Sequence, residues 1–310
     1  MKITAFVLRF CTSELSLLKE LDLSDNLLSL TFGTSWIPPF QLVKLGLGSC
    51  KLSPSFPSWL QALSQLSFLD ISDAGIDDFV PDWFWNKLQF IRDLDMSCNS
   101  LKGTIPNLTT VDDGQGKLPD CWEHLSFLQF LDLRNNKLSG KIPQSMGSLA
   151  NLEALVLRNN NFFGELPLTL KNCSNLALLD GQDYEFWNPE NLLKSIDLSS
   201  NDLTGEVPKE VGHLLGLVSL NLSRNNFHGE IPSGIGNLSS LEFLDLSRNN
   251  LSGSIPSTLS NIDRLGVLDL SNNNLSGRIP WGRQLQTFDA SCSEGNIENI
   301  EYVFPITSFL

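Results

Sequence analysis

The sequence predicts a solenoid, a stack of similar coils in which each coil gives one short strand to a parallel sheet along one face. Three observations carry that reading. A leucine pattern returns in register at a step of about 24 residues, within the range of known solenoid repeats. The pattern alternates with period two inside each copy, and most complete copies close on a glycine followed two positions later by an apolar residue and proline. At 310 residues the chain is either two ordinary domains or one long solenoid. The repetition decides for the solenoid.

The copy at Leu241–Pro256 reads LEFLDLSRNNLSGSIP. The same frame appears as LQFLDLRNNKLSGKIP from Leu128, LEALVLRNNNFFGELP from Leu152, LKSIDLSSNDLTGEVP from Leu193, LVSLNLSRNNFHGEIP from Leu217 and LGVLDLSNNNLSGRIP from Leu265. Looser copies start at Leu18, Leu42, Leu66 and Ile91. One asparagine per copy marks the register. Asn201, Asn225, Asn249 and Asn273 follow at the full step, and so do Asn136 and Asn160. Asn26, Cys50 and Ala74 keep that spacing at the start, and Asn99 follows one position late.

Each element of the copy has a physical task. In L-x-x-L-x-L the leucines of a short strand point into the core and the intervening residues point out. The asparagine sits where the chain turns, and its amide satisfies backbone groups of its own coil and the next, giving a ladder of Asn26, Asn99, Asn136, Asn160, Asn201, Asn225, Asn249 and Asn273. The glycine admits the turn, and the apolar–proline pair begins an extended return path. A later leucine fills the core from the far side. No coil buries its apolar face alone, so neighbours must stack.

This pattern resembles the plant-specific subclass of leucine-rich-repeat proteins, whose signature is L-x-x-L-x-L-x-x-N-x-L-x-G-x-I-P, over about residues 15–290. The resemblance implies an α/β-type leucine-rich repeat solenoid, a right-handed horseshoe. It also implies a concave parallel β-sheet, convex 3-10 turns and a short second sheet near the G-x-I-P segment.

Two places break the count. GQGKLP at Gly114–Pro119 puts Asp112 in an asparagine slot, only about half a step after Asn99. Tyr184 falls in the slot one full step after Asn160, and Asn201 then comes well short of the next full step. Both intervals are too short for a coil of the usual length, about 20–29 residues. The second interval predicts a break or kink in the concave sheet between Asp180 and Ile196. Its residues YEFWNPENLL resemble the end of the non-repeat island that plant receptor-like proteins carry before their last four repeats. GRIPWGRQLQTFDASCSEGN at Gly277–Asn296 resembles the C-terminal cap of that family, without the cysteine motif that usually follows, so Cys292 is expected to lack its partner.

The resulting division has a non-repeat start at 1–14, repeats at 15–106, a shortened repeat at 107–127 and repeats at 128–180. An island remnant or loop at 181–192, the last four repeats at 193–289 and an incomplete cap and tail at 290–310 complete it. The chain reads as the C-terminal half of a receptor ectodomain, truncated, with core exposed at both ends.

The composition excludes several function classes. A formal net charge of −14 repels nucleic acid and anionic membranes. Six cysteines form no C-x-x-C pair, and three histidines are scattered, so no metal site is expected. No phosphate loop, kinase signature or G-x-S-x-G motif occurs. The chain is therefore not expected to be an enzyme, and no catalytic residue or cofactor is assigned. Arg9 interrupts the apolar run of the N-terminus, and no window suits a membrane helix, so no signal peptide and no membrane segment are expected.

Asp22, Asp70, Asp95, Asp132, Asp180, Asp197, Asp245 and Asp269 recur at one outward strand position. Adjacent carboxylates offer acid–base or cation chemistry, but a residue that recurs in nearly every copy belongs to the repeat, and a structural role is expected, with pKa values spread by mutual repulsion. The variable outward positions are the better ligand candidates: Phe68, Phe130, Arg134, Arg158, Gln182 and Phe243, with Arg224 and Arg248 one step beyond the strand. Asn107, Asn172, Asn221, Asn237, Asn250 and Asn274 begin N-glycosylation sequons, and Asn221 replaces the recurrent Asp. Trp83, Trp85 and Trp122 are expected in the core.

The family resemblance implies a cell-surface recognition protein of plant defence and innate immunity. It would bind a protein or peptide ligand, microbial in such receptors, on the concave face. It would signal through partner leucine-rich-repeat receptor kinases that dock on the last four repeats. Full-length relatives of this kind sit in the plasma membrane, and a truncated form would be secreted or mislocalised and would not signal. A secreted polygalacturonase-inhibitor-like protein is the alternative.

Overall fold

The computed structural model describes residues 15–33, 36–105, 122, 125–177, 194–296 and 301–302. Ten short strands, from Glu20–Asp22 through Lys44–Gly46 to Val267–Asp269, form one sheet in chain order. Every neighbouring pair is parallel. Period-two alternation explains the strand. In Phe243–Asp245 the middle Leu244 is fully buried while Phe243 and Asp245 stay half-buried on the other face.

The second sheet lies directly after the asparagines. Its seven strands begin with Lys102–Thr104 and Lys137–Gly140 and end with Asn274–Ser276. Each of these strands but the last contains or ends on a glycine at positive φ, such as Gly140 at 92° and Gly229 at 79°, where a Cβ is disfavoured. The proline after it is extended and caps a 3-10 turn: Pro143, Pro167, Pro208, Pro232 and Pro256 precede turns that begin at Gln144, Leu168, Lys209, Ser233 and Ser257. At Pro81 the turn lengthens into the α-helix Asp82–Lys87. That helix buries Phe84 and Trp85, and Trp122 stacks obliquely on Trp85 with ring centroids 5.7 Å apart. Trp83 packs partly buried beside Phe56. The tryptophans therefore belong to the core, as expected.

The expected break in the concave sheet is absent. Ser195, Ile196 and Asp197 pair directly with Ala154, Leu155 and Val156. Leu157 and Asn159 donate to the Asp197 and Ser199 carbonyls at 2.8 and 2.9 Å, so the ladder runs on past the strands. Asp93–Asp95 pairs directly with Phe130–Asp132 in the same manner. The physical reason is that hydrogen bonding sets the register and chain length does not. The intervals from Asn99 to Asn136 and from Asn160 to Asn201 both exceed the usual repeat of about 20–29 residues. In each case the strands on either side of the long interval are direct neighbours in the sheet. The expected slots Asp112 and Tyr184, with Asp180, lie outside the described residues.

The backbone ladder continues past the last concave strand, Val267–Asp269. Ala290–Ser293 forms a 3-10 turn in place of the next strand, and the carbonyls of Cys292 and Glu294 accept from Leu270 and Asn272 at 2.6 and 2.7 Å. Asn296 continues the asparagine ladder: it donates to the Leu270 and Ser293 carbonyls and accepts from the Leu275 amide. Cys292 is buried. At the other end Leu17, Leu27 and Ile37 remain largely exposed. Among the described residues no helix is long and apolar enough to cross a membrane.

Candidate functional site: the concave sheet

The outward surface of the ten-stranded sheet is built in rows, one residue per strand, at a strand spacing of about 4.8 Å. The row of aspartates is structural. The Oδ1 of Asp22, Asp70, Asp95, Asp132, Asp197, Asp245 and Asp269 accepts a hydrogen bond from the backbone amide two positions on. Asn221 does the same toward Ser223 and also accepts from its hydroxyl. The carboxylate thus holds the turn after the strand, which is why the residue recurs. Burial raises the Asp70 carboxyl above its ordinary 3.8, hydrogen bonds from Ser72 oppose that rise, and repulsion from Asp95 and Asp22 adds only a lesser push. Desolvation therefore outweighs the expected mutual repulsion.

The turn ends at the asparagine ladder. Asn225 donates through Nδ2 to the carbonyls of Leu222 and Ser223 in its own coil and of Leu198 in the preceding one, and its Oδ1 accepts from Leu203. The ladder therefore ties each coil to the one before it, where the sequence suggested the one after. Asn99, Asn136, Asn160, Asn201, Asn249 and Asn273 repeat the scheme. Asn26 is exposed and bonds only within its own coil, to Leu23 and Ser24. Cys50 replaces the amide with a thiol 3.1 Å from the Leu23 carbonyl, and Ala74 leaves its part to Asn99, which accepts from both Ala74 and Ile76.

The ligand candidates fall into two groups. Phe68 and Phe130 lie in one row on either side of Asp93, in register Phe68–Asp93–Phe130. Arg158 is exposed nearby, while Arg134 is three-quarters buried and held by Asp132, its Nε 3.3 Å from the carboxylate. The second group is Phe243 with the exposed Arg224 and Arg248. Between the groups the row carries only Ala154, Ser195 and Ser219. Gln182 lies outside the described residues. Arg224 and Arg248 also occupy the turn position before the asparagine, where every coil from Asp25 to Asn272 has φ between 47 and 59°. Such a backbone favours Asn or Asp, so an arginine there is not chosen for the turn.

Two features escaped sequence reasoning. Asp93 stands in the variable row, not in the recurrent aspartate row, and burial raises its carboxyl above the usual 3.8. Its signal was present as an acidic residue in a position otherwise aromatic, small or hydroxylic in the central coils. The second feature is an open groove of about 380 Å³ on the flank where these strands begin, lined by Val43, Ser67, Phe90, Arg92 and Phe127. Period counting gives no access to a groove between loops. Of the sequons, Asn172, Asn237 and Asn250 are exposed, Asn221 and Asn274 are half-buried, and Asn107 lies outside the described residues.

The Leucine Rich Repeat family model matches residues 127–149, 151–173, 192–214, 216–238, 240–262 and 264–282. The chain is 47% identical over 93 residues to Receptor-like protein EIX2 of Solanum lycopersicum, covering 30% of this chain and 9% of that protein. Among solved structures it is similar to the leucine-rich-repeat ectodomain of the Arabidopsis thaliana membrane receptor kinase GASSHO1/SCHENGEN3, in complex with CASPARIAN STRIP INTEGRITY FACTOR 2. The TM-score is 0.75 with 31% identity, covering 93% of this chain and 31% of the other. It is also similar to the Arabidopsis receptor kinase HAESA in complex with the peptide hormone IDA and the co-receptor SERK1, with TM-score 0.71, 29% identity, and coverage of 94% and 43%. The chain thus spans about a tenth of the tomato relative and less than half of either ectodomain. The fold is a leucine-rich-repeat solenoid, and over the stretches these matches cover the chain is similar to plant receptor-like proteins.

Proposed function

We propose that the concave sheet binds a protein or peptide ligand as part of a cell-surface receptor-like protein of plant defence. Partner receptor kinases dock on the last four repeats, residues 193–289, so that ligand and kinase share one composite interface. The island remnant at 181–192 marks the start of that docking block. The observation that carries the reading is the outward row of the sheet. Phe68, Phe130 and Phe243 stand half-exposed on either side of a stretch of small residues, Ala154, Ser195 and Ser219, and large rings on such a surface are typical interface anchors. The similar HAESA structure is a complex with a peptide hormone and a co-receptor, which supports the ligand-binding reading.

The test places a photo-crosslinking residue at Phe130, at Phe243 and at Leu215, exposed beyond the convex turn Lys209–His213, in the chain displayed on plant cells treated with microbial culture filtrate. Adducts at Phe130 or Phe243 and none at Leu215 are expected. Equal labelling at Leu215 would sink the concave reading. Co-precipitation of the SERK1 ectodomain, lost on Arg224→Glu with Arg248→Glu, checks the kinase surface. Inhibition of a fungal polygalacturonase at micromolar chain would favour the inhibitor reading instead.

A further inference from the structure

Asp93 differs from every other aspartate of the concave strands. Asp70, Asp95 and Asp132 turn an oxygen back onto a backbone amide. The Asp93 side chain makes no hydrogen bond and no ion pair among the described residues, although it is only half exposed, while its backbone amide donates to the Ser67 carbonyl at 3.1 Å. Its neighbours in the row are the two phenylalanines, Phe68 on one strand and Phe130 on the other. Burial pushes its carboxyl up, Arg92 and Lys44 pull it down, and Glu153 pushes it up between them. Lys44 is the next residue of the row beyond Phe68, but its ammonium leans to Glu20 at 3.8 Å. Arg92 lines the flank groove together with Phe90 and Phe127. The fold therefore leaves a partly desolvated carboxylate, flanked by two aromatic side chains, without a side-chain hydrogen bond or ion pair among the described residues.

We infer that the Phe68–Asp93–Phe130 row is a subsite for one cationic side chain, arginine or lysine, of the ligand. The inference rests on the proposed concave recognition. A carboxylate already stripped of part of its water gains from a cation more than a fully hydrated one does. Ring faces attract cations, and a guanidinium also stacks on them. The surroundings agree in sign: Asp70 and Asp95 lie on the same strands, and the chain carries a net charge of −14. A metal ion is a poorer fit, because phenylalanines supply no ligands and no cluster of metal-binding side chains occurs among the described residues. An anionic side chain would be repelled.

The test uses an acetylated and amidated pentapeptide, Ala-Ala-Arg-Ala-Ala, and its uncharged citrulline counterpart, with ligand-observed NMR, which reads weak binding. The arginine peptide is expected to bind the wild-type chain more tightly than the citrulline peptide. Asp93→Asn keeps the shape and should weaken it about tenfold, the effect of one charge-assisted contact. Phe130→Ala should weaken it severalfold. Asp263→Asn, an exposed position beyond the convex turn Ser257–Asn261, removes the same charge and should change affinity less than twofold. Equal losses for Asp93→Asn and Asp263→Asn would reduce the effect to diffuse attraction and overturn the subsite, as would no loss at Asp93. If the peptide ignores Asp93 while crosslinking at Phe130 persists, the subsite falls and concave recognition stands. If crosslinking fails and the Asp93 effect holds, the cation site stands without the receptor reading.

Discussion

Asn201→Ala tests the continuity of the solenoid at its least regular coil. Asn201 is buried, with its Oδ1 accepting from the Phe162 amide at 3.0 Å. Its Nδ2 faces the carbonyls of Leu157 and Leu198 at 3.0 Å and of Ser199 at 3.2 Å. Two amide hydrogens serve two of those carbonyls at once, so three bonds are at stake. At about 1 kcal/mol each, the substitution costs about 3 kcal/mol. The Phe162 and Leu157 bonds reach across the long interval from Asn160 to Asn201. Asn225→Ala deletes an equivalent set where no extra residues intervene, so the two variants should lose similar stability. Asn26→Ala removes only exposed bonds within its own coil and should stay within about 0.5 kcal/mol of the parent. Urea unfolding ranks the three, and backbone hydrogen exchange localises the loss, because a repeat array need not unfold in one step. Faster exchange at the Phe162 amide is expected in Asn201→Ala. An Asn201→Ala chain as stable as Asn26→Ala, with Phe162 still protected, would refute the reading of one ladder across this coil.

Three further outcomes follow from the same geometry. Burial pushes the Cys173 thiol up to about 12, so native protein at pH 9 should resist alkylation at Cys173 while the exposed Cys98 reacts, as mass spectrometry of the labelled peptides will show. The raised Asp93 carboxyl means that the folded state binds a proton at a higher pH than the unfolded chain does. Its contribution to stability is therefore gained as pH falls through the raised value toward 3.8 and lost as pH rises through the same window. Asp93→Asn should raise the urea midpoint above that window and flatten the slope within it, Asp70 leaving a remainder; an unchanged profile would count against the desolvation account. Gly147→Ala drives a methyl group into the Thr169 carbonyl of the next convex turn, and a loss of about 1–3 kcal/mol in urea unfolding is expected.

How much was legible depends on whether a feature repeats. The strands, the second sheet, the proline-capped turns and the asparagine ladder each recur, so one copy read correctly gave nearly all of them. The role of the recurrent aspartate was partly legible: its recurrence marked it as structural, but its bond to the amide two positions on needed coordinates. Asn296 was missed because the cap around it lacks the leucine pattern, and only its position nearly one full step after Asn273 hinted at the ladder. The candidate site was harder. Side chains in variable positions are free to point in several ways, and Arg134 spends its charge on Asp132 instead of offering it to a ligand. Asp93 was overlooked because eight other aspartates taught the eye to treat the residue as part of the frame. The break predicted before Ile196 failed for a different reason: counting residues measures the length of chain between strands, whereas the sheet is closed by hydrogen bonds that ignore that length.

On the convex side the turns that flank the long interval pack differently from their neighbours. Neighbouring 3-10 turns pack tightly at a glycine, with Gly147 against Thr169, Gly212 against Gly234 and Gly236 against Thr258. In the turn Leu168–Asn172 the equivalent residue is Lys171, and a small cleft opens there, lined by Leu168, Lys171, Pro208 and Glu210 among others. The two sheets hold their spacing through directional backbone bonds, which tolerate little stretching. The convex turns meet mainly through packing, which yields more cheaply at one missing contact. The looser contact thus lies on the convex side, and the concave row from Phe68 to Phe243 remains one surface. A ligand anchored at Asp93 and a kinase docked beyond Ser195 would thus face the same uninterrupted sheet, with Ala154 and Ser195 as the low floor between them.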